Sequence, residues 1–181
     1  MSLRKILTYP DPLLHRVAEP IEKFDTKLVS LVSDMVETMR QAPGIGLAAP
    51  QIGQPIRLIV VEIPSEKENE SSVLYSVCNP IITERSGQAR IEEGCLSLPG
   101  FFIEVDRSKE VRLEGQNPDG TPFLLEADGL LAICFQHEID HLEGKMLVNY
   151  VGPVKRELYR KEMKKRRETI VADSQERRRT L

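Results

Sequence analysis

Gln136-His137-Glu138-Ile139-Asp140-His141 lies in a proline-free run, Gly129 to Leu142, that reads as a helix. On an α-helix, residues four apart differ by about 400° of rotation and about 6 Å of rise, so His137 and His141 project side by side and can share one metal ion. Glu138 is turned about one residue's rotation away, too far round to be a third ligand yet near enough to reach a water on that ion. Leu130, Ile133, Cys134, His137 and His141 recur at spacings of three and four, which turns this face toward the core. A lone histidine on an apolar face is usually a packed core residue, but two at i, i+4 bracketing a glutamate favour metal.

A catalytic ion needs a third protein ligand and one open position. Cys134 shares the stripe, but it precedes His141 by seven residues, about 10.5 Å along the axis, so one helix cannot wrap all three around an ion. It reads instead as a small core hydrophobe. Cys95 lies in Glu92-Glu93-Gly94-Cys95-Leu96-Ser97-Leu98-Pro99-Gly100, where the glycines and proline suggest an irregular segment able to bring a thiolate and backbone amides to a bound group. Alone, Cys95 is as readily a buried thiol as a ligand; with two histidines requiring a partner, it is the ligand.

Elsewhere in the chain, Leu28, Leu31, Val32, Met35, Val36 and Met39 mark an amphipathic helix from Asp25 to Gln41, capped by Asp25 and ended by Pro43-Gly44. A loop, Gly44 to Gly53, comes next, then a buried strand from Ile56 to Ile63 and a polar, exposed loop at 64–72. Strands are predicted at Val73–Cys78, Phe102–Asp106, Glu110–Glu114 and Phe123–Ala127, with Asn117-Pro118-Asp119-Gly120 as a hairpin turn. A last helix starts at Pro153. Strands and helices do not alternate regularly, so the fold class is α+β, with antiparallel or mixed sheets packed around the histidine helix and helices near both ends.

The 181 residues, 40% of them apolar, suit a single domain, expected over 1–168 with a basic, flexible tail at 169–181. No run approaches the ~18 apolar residues of a membrane span, and Met1-Ser2-Leu3-Arg4 has no apolar leader core. Cys78, Cys95 and Cys134 are an odd number at irregular spacing, which argues against disulfides and suits a reducing, cytoplasmic setting. The net charge of -3 is uneven: residues 153–181 hold eleven Lys or Arg against five Asp or Glu, so that +6 sits there and -9 on the body.

Three segments in order, Gly44-Ile45-Gly46-Leu47-Ala48-Ala49-Pro50-Gln51, Glu93-Gly94-Cys95-Leu96-Ser97 and Gln136-His137-Glu138-Ile139-Asp140-His141, resemble the three signature motifs of the peptide deformylases, with the likeness extending over about residues 1–165. The first segment lacks both the dinucleotide fingerprint and the Lys-Ser/Thr of a phosphate loop. The resemblance implies removal of the N-formyl group from formyl-methionyl nascent peptides, with release of formate. It implies Cys95, His137 and His141 as metal ligands and Glu138 as general base and acid toward a water activated at the ion. Gln51 and the backbone N–H of Leu96 would hold the oxyanion. Ile45, Ile91, Leu130, Ile133 and the His137 ring would line the methionine pocket, and Gly44, Ile45, Gly46 and Gly94 would bind the peptide, partly as an added strand. One divalent ion is expected, ferrous iron in the cell, with zinc, nickel or cobalt as replacements.

Where many bacterial members carry a basic residue near position 102, this chain reads Gly100-Phe101-Phe102. The basic stretch Lys155–Arg167 resembles a C-terminal helix that docks on the ribosome; its alternative is an amphipathic helix packed on the body with a charged outer face. Neither membrane nor DNA is an expected partner. His15 reads as a surface or packing residue. Two other classes compete: a zinc endopeptidase, with Glu143 or Glu157 as third ligand, and a non-catalytic module whose ion is fully enclosed by side chains.

Overall fold

The computed structural model describes residues 2–64 and 72–179, with the side chains of the last helix described as far as Arg166. Three α-helices, α1 (Thr26–Gln41), α2 (Gly129–Leu142) and α3 (Pro153–Arg179), accompany seven strands: β1 (Gly46–Ala48), β2 (Leu58–Ile63), β3 (Val73–Ser86), β4 (Ala89–Cys95), β5 (Leu98–Arg107), β6 (Glu110–Gln116) and β7 (Pro122–Asp128). The strands form a five-stranded sheet of order β1-β2-β3-β6-β7 and a separate β4-β5 hairpin. All of their ladders are antiparallel, with one isolated parallel bridge between Glu19 and Ile56, so the α+β expectation holds.

β2 shows why α2 sits where it does. Leu58, Ile59, Val60 and Val61 are all fully buried, and the period of two sends them to opposite faces. Leu58 and Val60 join Leu28, Met35, Val36 and Met39 of α1. Ile59 and Val61 join Ala132, Phe135 and Leu142 of α2, together with Val77, Val111 and Leu113 from β3 and β6. The sheet is thus covered by a helix on each side, which fixes the α2 axis against it. Asp25 caps α1 as expected, its side chain accepting from Lys27 N and Leu28 N. The α2 run ends at Gly144, whose φ of +68° and approach to the His15 carbonyl, 2.5 Å from where a Cβ would stand, both require glycine.

Three expectations are corrected. Gly46–Ala48, read as loop, is an edge strand. β3 does not stop at Cys78: its ladder breaks at Asn79-Pro80, where proline cannot donate, and resumes at Ile81 as far as Ser86. The segment around Cys95, read as irregular, is the tip of the β4-β5 hairpin, with a register shift between Glu93 and Cys95. β4 lacks apolar alternation because its one buried position is Glu93. The hairpin turn at Asn117–Gly120 is found between β6 and β7, where Gly120 N donates to Asn117 O. The loop expected at 64–72 lies outside the described residues except at its two ends.

A second core joins the hairpin to α3: Leu98, Phe101, Ile103 and Val105 pack with Met146, Leu147, Tyr159 and Met163. On α3, Tyr159 and Met163, one turn apart, are buried while the other positions from Pro153 to Arg166 are exposed or half-buried. The packed amphipathic helix is therefore the geometry seen over that stretch. The side chains of 167–179, and residues 180 and 181 altogether, lie outside the described residues; the backbone of the tail expected at 169–181 continues α3 as far as Arg179.

Candidate metal centre

The sheet-packed face of α2 leaves His137 and His141 turned toward the β4-β5 hairpin, whose tip carries Cys95, and Glu138 against Gly46 of β1. Cys95 Sγ lies 3.2 Å from His141 Nε2, and the ligand atoms of Cys95, His137 and His141 all lie within 4.8 Å of one another. The imidazoles stand edge to face, centroids 5.0 Å apart at 78°, so two nitrogens can converge without the rings stacking. Bonds of about 2.3 Å to sulfur and about 2.0–2.1 Å to nitrogen make a tetrahedron with edges of roughly 3.3–3.6 Å, which this donor set fits. Glu143 and Glu157, the ligands an endopeptidase reading would use, are instead paired with Arg57 and Arg160. Among the described residues the group comprises three side chains, so a four-ligand, closed site is not formed.

Glu138 is 3% exposed, and its Oε2 is buried without a hydrogen-bond partner. Its other oxygen rests against Gly46, where a Cβ would stand only 2.3 Å from Oε1. Burial pushes the Glu138 carboxyl up to about 7, against the opposing pull of His137. A carboxylate this poised, with one free oxygen, suits proton transfer rather than an ion pair.

Gln51 stands on a short 3-10 turn, Ala49–Ile52, after β1. Its Oε1 accepts from Ala48 N at 2.8 Å, which orients the amide so that Nε2 donates to Ser97 Oγ at 3.2 Å and faces Cys95 Sγ at 3.6 Å. Leu96 occupies the β4-β5 turn beside Cys95. A cleft of about 510 Å³ opens above these groups. Gly44, Ile45, Gly46, Gln51, Ile91, Gly94 and Leu96 line it on one side, and Leu130, Ile133, His137 and Glu138 of α2 on the other. Leu130, on the helix stripe and expected in the methionine pocket, is 44% exposed and forms part of the cleft wall. His141 lies deeper, 2% exposed. Cys134 is buried, its S–H directed at the Ile45 carbonyl, as a small hydrophobe would be.

Sequence reasoning missed the layer behind the ligands. Glu93 Oε2 lies 2.7 Å from His137 Nδ1, while Arg107 donates to both Glu93 oxygens, at 2.7 and 3.0 Å. Arg107 also donates to Asp140 Oδ2 at 2.6 Å, which accepts in turn from Tyr150 OH at 2.6 Å. Burial by itself would raise the Glu93 pKa, but the hydrogen bonds from His137 and Arg107 override it and hold the carboxyl down to about 2. Burial drives His141 well below its ordinary value; for His137 burial pulls the same way, but its hydrogen bonds with Cys95 and Glu93 override it and raise it well above. Gln136 anchors the helix: its Nε2 donates to Ser108 O and its Oε1 accepts from Ser108 N. The signal for Glu93 was its place beside Gly94-Cys95, but a charged residue in a glutamate pair reads equally well as solvated surface.

The sequence matches the family model described as polypeptide deformylase over residues 3–157. A peptide deformylase from Chromobacterium violaceum is 48% identical over 166 residues, covering 92% of this chain and 97% of the relative. One from Bartonella tribocorum is 44% identical over 167 residues, covering 92% and 94%. Among solved structures, a peptide deformylase from Ehrlichia chaffeensis has a TM-score of 0.88 at 35% identity, over 94% of this chain and 99% of that one. A structure from the same organism in complex with actinonin has a TM-score of 0.86 at 37% identity, over 92% and 98%. With sequence and architecture in agreement, the chain belongs to the polypeptide deformylase family.

Proposed function

We propose that the chain hydrolyses the N-formyl group from formyl-methionyl nascent peptides, water and amide giving formate and a free amino terminus, with Cys95, His137 and His141 holding one divalent ion. The observation that carries the reading is the convergence of that thiol and two imidazoles beside a buried carboxylate with an unpartnered oxygen. When bound, the ion supplies an acidified water and a Lewis acid for the formyl oxygen. Glu138 takes the proton of the attacking water on Oε2 and returns it to the leaving amine nitrogen, so no net proton is lost. Gln51 Nε2 and the Leu96 N–H donate to the formyl oxygen as negative charge develops there. Ile45, Ile91, Leu130, Ile133 and the His137 ring bury the methionine side chain, and Gly44, Gly46 and Gly94 leave room for the peptide backbone.

One thiolate with two imidazoles accepts several late divalent metals, and ferrous iron is the cellular ion proposed, with zinc, nickel or cobalt able to replace it. No helix among the described residues is long and apolar enough to cross a membrane. A cytoplasmic setting accords with the substrate, which is made there. The basic outer face of α3 is proposed as a ribosomal contact. It is supported by the burial of Tyr159 and Met163, which leaves Lys161, Lys164, Lys165 and Arg166 outward. Replacing Lys161 and Lys164 with Glu would then lower co-sedimentation with ribosomes at low salt, and the difference would vanish at high salt.

The direct test is formate release from formyl-Met-Ala-Ser, set against an unformylated peptide. Formate release without internal cleavage supports the reading, and cleavage of the unformylated peptide contradicts it. Glu138→Ala should keep the metal and lose activity, whereas His137→Ala should lose both.

A further inference from the structure

We infer that the outer end of the cleft selects peptides by the side chains beyond the formyl-methionine, with Phe102 and Glu92 as the discriminating residues: apolar or aromatic side chains are favoured and acidic ones disfavoured. This rests on the deformylase reading of the same cleft.

Phe102 is 61% exposed although it is a large aromatic on a strand, and its ring lines the cleft. The neighbouring Phe101, on the opposite face of β5, is buried beneath α3. The Phe102 ring lies over Gly94, where a Cβ would stand 2.7 Å from Cε1, so it shares a rim with the residue next to the Cys95 ligand. Chain leaving the metal centre toward solvent passes this ring. Pro43, Leu96 and Pro99 continue the apolar rim.

The charge pattern is one-sided. The cleft is lined by no Lys or Arg among the described residues, and the exposed carboxylate among its lining residues is Glu92. Arg166 approaches Gly100 from α3 but is paired with Glu162 at 2.5 Å, and Arg90 is paired with Glu104. An acidic side chain at the rim meets the Glu92 carboxylate, while Arg166 and Arg90 already hold carboxylate partners, and an aromatic one can pack against Phe102. Such a contact is worth about three- to tenfold in kcat/KM. Because it is equal in ground and transition states, it falls on KM rather than on kcat.

The test measures kcat and KM for formyl-Met-X-Ala and formyl-Met-Ala-X, with X as Phe, Ala or Asp, for the wild type, Phe102→Ala and Phe102→Arg. The expected order at one of the two positions is Phe over Ala over Asp, carried by KM. Phe102→Ala should bring the Phe-to-Ala ratio to within about twofold of unity, and Phe102→Arg should raise Asp above Ala. Hydrolysis of all substrates with equal constants at both positions overturns this inference while leaving the deformylase reading intact. Ratios in the wild type that survive both substitutions also overturn it. Absence of formate release from every formylated peptide overturns the deformylase reading itself.

Discussion

The Nδ1 atom of His137 lies 2.7 Å from Oε2 of Glu93, a carboxylate that two further hydrogen bonds from Arg107 lock in place. A hydrogen on Nδ1 donated to Glu93 leaves the lone pair on Nε2, the atom that must face an ion, so the pair fixes both tautomer and ring orientation. Asp140 and Tyr150 extend the same web to the far side of Arg107. Glu93→Gln removes the charge that holds the web together, and partners of this kind are worth about 10–100-fold in metal affinity. Competition against a chelator should show that loss for Glu93→Gln at a temperature where the variant stays folded; unaltered affinity would reduce Glu93 to a structural ion pair.

Gly46 offers a sharper separation of fold from catalysis. A methyl group there would stand 2.3 Å from Glu138 Oε1 and 2.8 Å from Cys134 Sγ, both at the ends of side chains rather than backbone. Gly46→Ala should therefore fold and bind metal, yet displace the carboxylate proposed to move the proton and lose at least ~10²-fold in kcat. Metal content and formate release measured on one preparation would check it, and near-normal turnover would show that the Glu138 position is not critical.

Gln51 is held by Ala48 so that its Nε2 faces the Cys95 side of the cleft. Removing an oxyanion donor of this sort lowers turnover by ~10²–10³. Gln51→Ala should show that fall in kcat with the metal retained. If turnover is unchanged, the oxyanion is held without Gln51.

Asp34 makes a prediction about stability far from the site. It is 3% exposed and accepts Ser2 N at 2.6 Å and Arg4 Nε at 3.0 Å. The Ser2 hydrogen bond, and then that of Arg4, hold its pKa below the ordinary 3.8. A group whose folded pKa is depressed contributes stability above its unfolded value and loses it as pH falls through the folded one. Asp34→Asn should thus lower Tm at pH 7, and the gap to wild type should narrow below about pH 4. A gap independent of pH would mean that packing, rather than charge, is what Asp34 supplies.

Much of this was legible in the sequence because helical geometry is rigid. The i, i+4 histidines announce a shared ion, and the length of one helix excludes Cys134 and sends the search to Cys95. The α1 and α2 stripes likewise come from period alone. β4 and the Glu93-Arg107-Asp140 web did not show, because a buried ion pair is written in the same letters as a solvated one. Only the partner's position in space separates them. Leu130 carries both readings: the stripe is real, and its first turn overhangs the cleft where the resemblance to the family puts it. β3 ran past its apparent end since a proline inside a bulge does not stop a strand.

Deformylation by this chain requires that one sulfur and two imidazole nitrogens hold the ion and leave a position for water. X-ray absorption of the zinc-loaded chain probes that requirement at the ion itself. The expected first shell is one sulfur near 2.3 Å, two imidazole nitrogens near 2.0–2.1 Å and one lighter oxygen scatterer, distances of about the usual size for zinc. A shell with no sulfur, with two, or with a fourth protein side chain in place of that oxygen would contradict it.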